Sequence, residues 1–582
     1  MNQLTKVLHI DLSKRSFHVE DRRDLFQHYL GGAGVGINLL NENCPVGADP
    51  LGPDNPIIFA VGPLVGLYPL ASKTVAMFKS PLTGNLGESH AGGRSSVSIR
   101  SAGYGAIVIK GKSSSPVYLS ITDEGVRFRD ASGFWGVVNS VTVGRIVREL
   151  EKGSGMRTIM RIGGAGERMV KYACVTTETY RHFGRLGLGA VFGSKLLKAI
   201  CVSGNHSVDV TDPGIYRDTY DEIYKKAVDS PLMKKYHDYG TAANIVPLNL
   251  LKGLPVKNLT SASALEAENI SGENLAEEYL GRRVACAHCP VACIHIAALR
   301  EPYEKELFFY KTKMIPYDYE LIYGLGSMVG VFDPEGMLQL IEEVEIFGLD
   351  AMSAGVVLAW ATEAYNNGLV SSEDTLGLDF TWGNTEAYLQ AIEHIVKQPN
   401  EFYTALASGV EIASERYGGA EYAMAFGKNE MPGYHTGAAA HIGHLVGSRH
   451  SHLDTAGYSL DQKILKGQEM TDDETVEALL EEEAWRQVLS SLVICFFARG
   501  LYTSDLVVRA LGTAGHKVDE ERLNQLGMEI LREKNRFKIR EGFDPWNIRI
   551  PRRIFETVSA RGMIQEETIR DAIRGYFEKL AL

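Results

Sequence analysis

Short apolar runs broken by Gly and Pro dominate roughly the first 210 residues. Pro56-Ile57-Ile58-Phe59-Ala60-Val61 ends at Gly62-Pro63, and Ala106-Ile107-Val108-Ile109-Lys110 and Pro116-Val117-Tyr118-Leu119-Ser120-Ile121 flank the turn Gly111-Lys112-Ser113. Runs of this length predict strands, and the punctuation suggests antiparallel sheet. From about residue 210 the pattern changes to helix. Asp333 suits an N-cap and Pro334 the first helical position; Met337, Leu338, Ile341 and Val344 then share a face, and Gly348 fits the C-terminal left-handed position. A second helix is predicted from about Ser353, with Val356, Val357, Trp360 and Ala361 on one face and Asn366-Asn367-Gly368 as its stop. No repeat of fixed period and no low-complexity tract interrupts the chain. Polar, turn-rich Asn205-His206-Ser207 to Asp212-Pro213-Gly214 predicts one boundary, and Tyr417-Gly418-Gly419-Ala420 a weaker one. The fold class expected is α+β: a strand-rich domain over 1–208, then mainly helical domains over 209–418 and 419–582.

At 582 residues the chain exceeds a single hydrophobic core, so two to four domains are expected. A hydrophobic share of 45% against 23% charged excludes disordered and fibrous classes. The net charge of −12 argues against nucleic-acid binding, which needs clustered Lys and Arg. Sixty glycines, about one residue in ten, imply many backbone positions with positive φ or close ligand approach. Residues 1–20 carry no apolar signal region, and no stretch reaches the roughly 18 apolar residues that span a bilayer. A soluble, cytoplasmic protein without membrane insertion is the expectation.

Three of the seven cysteines fall within eight residues, as Cys286-Ala287-His288-Cys289-Pro290-Val291-Ala292-Cys293. An odd count without a signal peptide argues against a disulfide framework. Thiolates suit iron–sulfur clusters, and three on one tight loop match three irons of a cubane. Zinc sites usually split their ligands into two separated pairs, so zinc fits less well, although His288 or His295 is available to it. The C-x2-C-x3-C order also differs from the C-x3-C-x2-C of radical adenosylmethionine enzymes. Cys44, Cys174, Cys201 and Cys495 are all open as the fourth ligand; Cys174 and Cys201 sit in apolar, strand-like runs that favour buried core thiols.

Two glycine-rich stretches have basic neighbours. Lys79-Ser80-Pro81-Leu82-Thr83-Gly84 leads into His90-Ala91-Gly92-Gly93-Arg94, and Arg181-His182-Phe183-Gly184-Arg185-Leu186-Gly187-Leu188-Gly189 into Gly193-Ser194-Lys195. Exposed backbone N–H groups with Arg suit phosphate, but neither stretch, nor Gly31-Gly32-Ala33-Gly34-Val35-Gly36, has Walker or dinucleotide spacing. Singly, such loops are turns more often than phosphate sites.

Taken together, these motifs resemble the aldehyde:ferredoxin oxidoreductase family throughout the chain. The most specific pieces are residues 79–84, Ala102-Gly103-Tyr104-Gly105-Ala106-Ile107, Gly184 to Val191, the cysteine loop, Tyr319-Glu320 and Gly348-Leu349-Asp350. The resemblance implies an N-terminal sheet domain that seats two pterins under two helical domains. It also implies one tungsten, or molybdenum, on their dithiolene sulfurs, Mg2+ joining the pterin phosphates, and a 4Fe-4S cluster beside one pterin. It names Cys495 as the fourth ligand, with Cys286, Cys289 and Cys293. Lys73, standing where the family usually has Arg, together with His90, Gly92, Gly93, Arg94, Arg181, His182, Gly184 and Arg185, are the implied cofactor-binding positions of the sheet domain; the guanidinium groups are expected on phosphate. The first pterin motif reads Glu345-Ile346-Phe347-Gly348-Leu349-Asp350, with Glu for the family's leading Asp; a helix C-cap is its structural alternative. The second reads Ser490-Ser491-Leu492-Val493-Ile494-Cys495 and has lost its carboxylate at Ser490. The interface metal motif reads Gln339-Leu340-Ile341-Glu342, so that metal is not expected, and the family's Y-D-P-R-G reads Tyr434-His435-Thr436-Gly437.

The implied reaction oxidises an aldehyde, or another carbonyl substrate, to the acid; electrons pass through the cluster to ferredoxin or a ferredoxin-like subunit, and the cofactor carries the hard chemistry. Glu320 occupies a carboxylate position beside the metal, with a helix-start carboxylate as its alternative reading. In Arg449-His450-Ser451-His452-Leu453-Asp454, His452 matches the family's histidine better than His450, and a near-neutral histidine suits proton transfer. Two rivals are aromatic acyl-CoA reduction on the same cofactor and a non-catalytic iron–sulfur scaffold. Oligomeric state stays open, a homo-oligomer included.

Overall fold

The apolar runs of the N-terminal third build two six-stranded sheets. The computed structural model describes residues 4–153, 155–178, 180–303 and 308–582. β1 (Lys6–Asp11), β2 (Ser16–Asp21), β3 (Ile57–Ala60), β4 (Thr74–Lys79), β5 (Leu86–Ala91) and β6 (Ala106–Lys110) pair in the order β2-β1-β6-β3-β4-β5. β7 (Val117–Thr122), β8 (Gly125–Asp130), β9 (Met156–Arg161), β10 (Val175–Thr177), β11 (Arg181–Phe183) and β12 (Leu197–Gly204) pair as β11-β10-β9-β12-β7-β8. The sheets meet through Phe59, whose ring packs edge-on against Phe183 at 5.3 Å and Phe192 at 6.3 Å.

The expectation of antiparallel sheet is corrected at two places: β1–β6 and β7–β12 are parallel pairs. The turn at Gly111 is therefore not a hairpin. It hands the chain from one sheet to the other, with Gly111 at φ +78°. Buried Lys195 pins the crossover by donating to the carbonyls of Gly52, Pro53 and Gly111 at 3.3, 3.0 and 3.2 Å. Gly31 and Gly32 are explained by close packing. A Cβ on Gly31 would meet the Val61 carbonyl at 2.5 Å, and one on Gly32 the Ser490 carbonyl at 2.1 Å.

The region beyond 210 is not purely helical. β13 (Leu280–Val284), β14 (Ile294–Pro302) and β15 (Tyr310–Tyr317) form an antiparallel sheet, and the cysteine loop is its β13–β14 connection. The predicted helices are present as Pro334–Phe347 and Ala351–Asn366. Asp333 accepts the Gly336 N–H at 2.8 Å, and Gly348 closes the first helix at φ +74°. The second starts two residues before Ser353 because Asp350 caps it, accepting the Met352 N–H at 3.3 Å. One core gathers the helices around Leu338, Trp360, Tyr388 and Leu479; the other joins both sheets to Leu489, Ile530 and Phe537. The long Asp472–Ser491 helix contributes to both, and the candidate site lies where they meet. Among the described residues no helix is long and apolar enough to cross a membrane.

Candidate active site

Backbone hydrogen bonds bring the cysteine segments together. Leu70, at φ +66°, donates its N–H to the His288 carbonyl at 3.0 Å, and its carbonyl accepts the Cys495 N–H at 2.9 Å. Ala71 bridges to Ile494, Lys73 donates to the Val493 carbonyl at 3.1 Å, and Ala287 donates to Gly93 at 2.9 Å. His288 and Ala292 take left-handed conformations that tighten the loop. The thiols sit close enough to raise one another: burial and then Cys495 push Cys289 to about 12, and burial pushes Cys293 to about 11, Cys495 and Cys286 adding to the effect. Burial also opposes ionisation of Cys286, but Arg181 and Lys73 more than offset it and hold that thiol below its ordinary value. Four cysteines gathered in one place, with Arg181 and Lys73 beside them to offset negative charge, suit a cubane that takes thiolate ligands.

Among the described residues no group of three or more His, Cys, Asp or Glu converges on a single ion. Cubane ligands each hold a different iron, so they need not converge. The zinc alternative loses His295, whose two ring nitrogens lie 3.1 Å from the carbonyls of Cys293 and Asp238. Cys44 and Cys201 are buried elsewhere in the cores.

Beside the cluster loop lies a cavity of about 300 Å³. Lys73, His90 and Gly92 enter it from the first sheet; a Cβ on Gly92 would lie 2.7 Å from Cys286 Sγ. Arg181, His182, Gly184 and Arg185 enter from β11 and the turn after it. His182 Nε2 is 2.8 Å from Glu345, and Arg185 Nε is 3.2 Å from Asp350, so each carboxylate of the Glu345–Asp350 segment faces one of these bases. Leu349 also lines the cavity, whereas Gly348 serves as the helix cap. Arg181 Nε and Arg185 Nη1 are buried without a protein partner, and open space lies where a Cβ on Gly184 would stand. An anionic ligand can therefore approach this backbone closely.

Glu320 and His452 meet in the same cavity, with His452 Nε2 3.3 Å from Glu320 Oε1. Asp318 caps the Tyr319–Leu325 helix and thereby orients Glu320, accepting the Glu320 N–H at 3.1 Å. Glu320 Oε2 accepts the Gly433 N–H at 3.3 Å. Burial, with nearby Asp318, pushes Glu320 up to about 8. Burial and the neighbouring His444 and Arg185 hold His452 well below its ordinary value. The near-neutral titration expected of this histidine thus moves to the carboxylate.

Several expected positions lie off the cavity wall. His450 is buried behind it, with Nδ1 3.1 Å from the His444 carbonyl and Nε2 3.1 Å from Lys538 Nζ. Arg94 pairs with Glu178 at 2.5 Å, and Gly93 braces the cysteine loop. Ser490 is buried in the last turn of the Asp472–Ser491 helix, and Ile494 is buried where it bridges to Ala71. Sequence reasoning missed Glu88, which lines the cavity and is held by Lys534 at 2.5 Å and His90 at 2.7 Å. It also missed the aromatic wall of Tyr434 and Tyr458 and the lining arginines Arg486 and Arg499. Alternating polar residues on β5 (Glu88, His90) were the available signal for the first, and the divergent motif beginning at Tyr434 for that ring; nothing local marked Tyr458, Arg486 or Arg499.

Residues 7–204 match the family described as aldehyde ferredoxin oxidoreductase, N-terminal domain, and residues 218–580 its domains 2 and 3. The tungsten-containing aldehyde ferredoxin oxidoreductase of Pyrococcus furiosus is 32% identical over 579 residues, covering 97% of this chain and 93% of the relative. The enzyme of the same description from Thermococcus kodakarensis is also 32% identical, with the same coverage. A chain of the active-site complex BamBC of benzoyl coenzyme A reductase, solved with 1,5-dienoyl-CoA, superposes with a TM-score of 0.80 at 20% identity, covering 100% of this chain and 94% of that one. That last likeness speaks for the fold.

Proposed function

Because the chain belongs to the aldehyde ferredoxin oxidoreductase family, we propose that it is a tungsten- or molybdenum-pterin enzyme that oxidises an aldehyde to the acid and sends the electrons through one 4Fe-4S cluster to ferredoxin or a ferredoxin-like subunit. The observation that carries this is the pairing, within one cavity, of two arginines that each keep one buried nitrogen without a partner with the Glu320–His452 couple, next to the four cysteines.

The residues present fit the implied cofactor. Arg181, Arg185 and Lys73 would hold pterin phosphates, with Mg2+ joining the phosphates; Glu345 and Asp350 would receive pterin N–H groups, and Cys286, Cys289, Cys293 and Cys495 the cubane. The bound groups would supply a two-electron acceptor at the metal and a one-electron relay at the cubane. The balance is RCHO + H2O → RCOOH + 2H⁺ + 2e⁻.

The chain's own part is proton handling and orientation. With Glu320 protonated, its O–H donates to His452 Nε2. The single N–H of the neutral imidazole then resides on Nδ1, which has no protein partner and is free to donate to a carbonyl oxygen. With Glu320 ionised, its carboxylate accepts the proton of the water that adds to the carbonyl. The short separation of the couple keeps both roles within one hydrogen bond. His450, held by Lys538, takes no part.

The test is anaerobically purified, metal-replete protein offered a panel of aldehydes with ferredoxin or a one-electron dye. Aldehyde-dependent reduction with formation of the acid is expected. No reduction by any aldehyde would overturn the proposal and favour the scaffold reading.

A further inference from the structure

Beyond the Glu320–His452 couple, the cavity wall becomes aromatic and positively charged. Tyr434 and Tyr458 stack at 4.4 Å, and Tyr434 lies 5.1 Å from the His452 ring. A second pair, Tyr236 and Phe497, stacks at 4.6 Å and lines the same cavity. Exposure rises outward along these residues: Tyr434 is buried, while Tyr458, Tyr236 and Phe497 are half-buried. The aromatic pairs therefore form the open side of the cavity.

Two arginines, the buried Arg486 and the half-exposed Arg499, line the same cavity with one carboxylate between them. Arg486 Nε bonds Glu482 at 2.8 Å, and Arg499 Nε lies 3.5 Å from the same oxygen, so one positive charge is uncompensated. Arg486 is 2% exposed and donates through Nη1 to the Leu453 carbonyl at 2.6 Å, one residue from His452. Its Nη2 is buried and has no partner. A buried guanidinium nitrogen left unpaired costs free energy unless a ligand completes it, and a carboxylate does so best. The proton couple and the cofactor-facing bases do not use this group.

We propose that the open side of the cavity selects planar aromatic aldehydes that carry a carboxylate remote from the carbonyl. Tyr434, Tyr458, Tyr236 and Phe497 face the ring, and Arg486, assisted by Arg499, receives the carboxylate. The proposal rests on the aldehyde-oxidising reading above and adds the substrate class to it. The oxidation is unchanged in balance: the aldehyde carbon gains a water oxygen, two protons and two electrons are released as in the reaction above, and the remote carboxylate passes through unaltered.

The test compares 4-carboxybenzaldehyde with benzaldehyde on the holoenzyme. The ratio of their kcat/KM values should exceed about ten in favour of the acid, carried mainly by KM, as a charge-assisted hydrogen bond predicts. Arg486→Met should lower that ratio at least about tenfold, and Arg499→Gln, at the half-exposed rim, by a smaller factor. Calorimetry gives a second readout that needs no turnover: terephthalate should bind the holoenzyme more tightly than benzamide, and Arg486→Met should remove the difference. A ratio near one in the wild type, with benzaldehyde oxidised, would overturn the substrate class and leave the reaction standing. If no aldehyde is oxidised, the reaction fails, and equal binding of terephthalate and benzamide overturns the substrate class separately. Loss of tungsten or molybdenum from Arg486→Met, with selectivity unchanged in Arg499→Gln, would assign the free nitrogen to a cofactor phosphate and also overturn the proposal.

Discussion

The cluster pocket and the acid–base wall are built in opposite ways. Three of the four cysteines come from one eight-residue loop, and the backbone of Leu70 ties that loop to the fourth. Glu320, His452, Tyr434 and Arg486 come from four separate segments and meet only through packing. A metal site needs several ligands at set spacing, so local sequence can specify most of it. A proton couple needs only two groups in a dry place, so the surrounding fold specifies it. Damage to the two regions should accordingly differ in kind.

The largest effect is expected at the cluster. Cys286→Ala removes a ligand from the pocket that Arg181 also faces, so iron should fall well below about four per chain and ferredoxin-linked turnover should be lost, as read by iron analysis and EPR. An intact cubane in Cys286→Ala would remove this cysteine from the ligand set. Glu320→Gln should act differently: metal and iron stay complete, while kcat falls by about 10²–10⁴. Wild-type turnover in that variant would break the comparison by showing that the buried couple is structural.

The same carboxylate predicts a pH profile. Because Glu320 is raised from 4.5 to about 8, it is mostly protonated at neutral pH. Turnover should rise with pH as it ionises near 8 and then level off, and Glu320→Gln should flatten the rise. Stability moves the other way. The folded chain keeps a proton that the unfolded chain releases, so this group's contribution is complete below pH 4.5 and is lost as pH rises towards 8, at about 1.4 kcal/mol per pH unit. Denaturation midpoints of wild type and Glu320→Gln should diverge across that window; parallel curves would show that Glu320 is not raised.

The helices tell what was legible. Asp333, Pro334 and Gly348 marked both ends of a helix correctly because capping is local chemistry. The parallel pairs were not legible, since a turn at Gly111 reads the same whether the chain folds back or crosses to another sheet. The β13–β15 sheet was hidden by the helical pattern around it. At the site, the cysteine spacing and the bases after β11 were visible, and the family resemblance picked out Glu320 and His452. Arg486 was invisible because a lone arginine in a charged helical stretch reads as a solvated side chain; its buried, unpaired nitrogen distinguishes it. Sharpening this contrast calls for a small, purely local change. Asp333→Ala should cost about 1 kcal/mol of stability, seen as a lower denaturation midpoint, with metal content and turnover unaltered. Loss of cofactor in that variant would show that the cap reaches the site.

The central claim is that one chain holds both a pterin-bound metal and a cubane. Elemental analysis of anaerobically purified protein tests it most directly. About one tungsten or molybdenum together with about four irons per chain is the expected result. Iron alone, or zinc in its place, would contradict it.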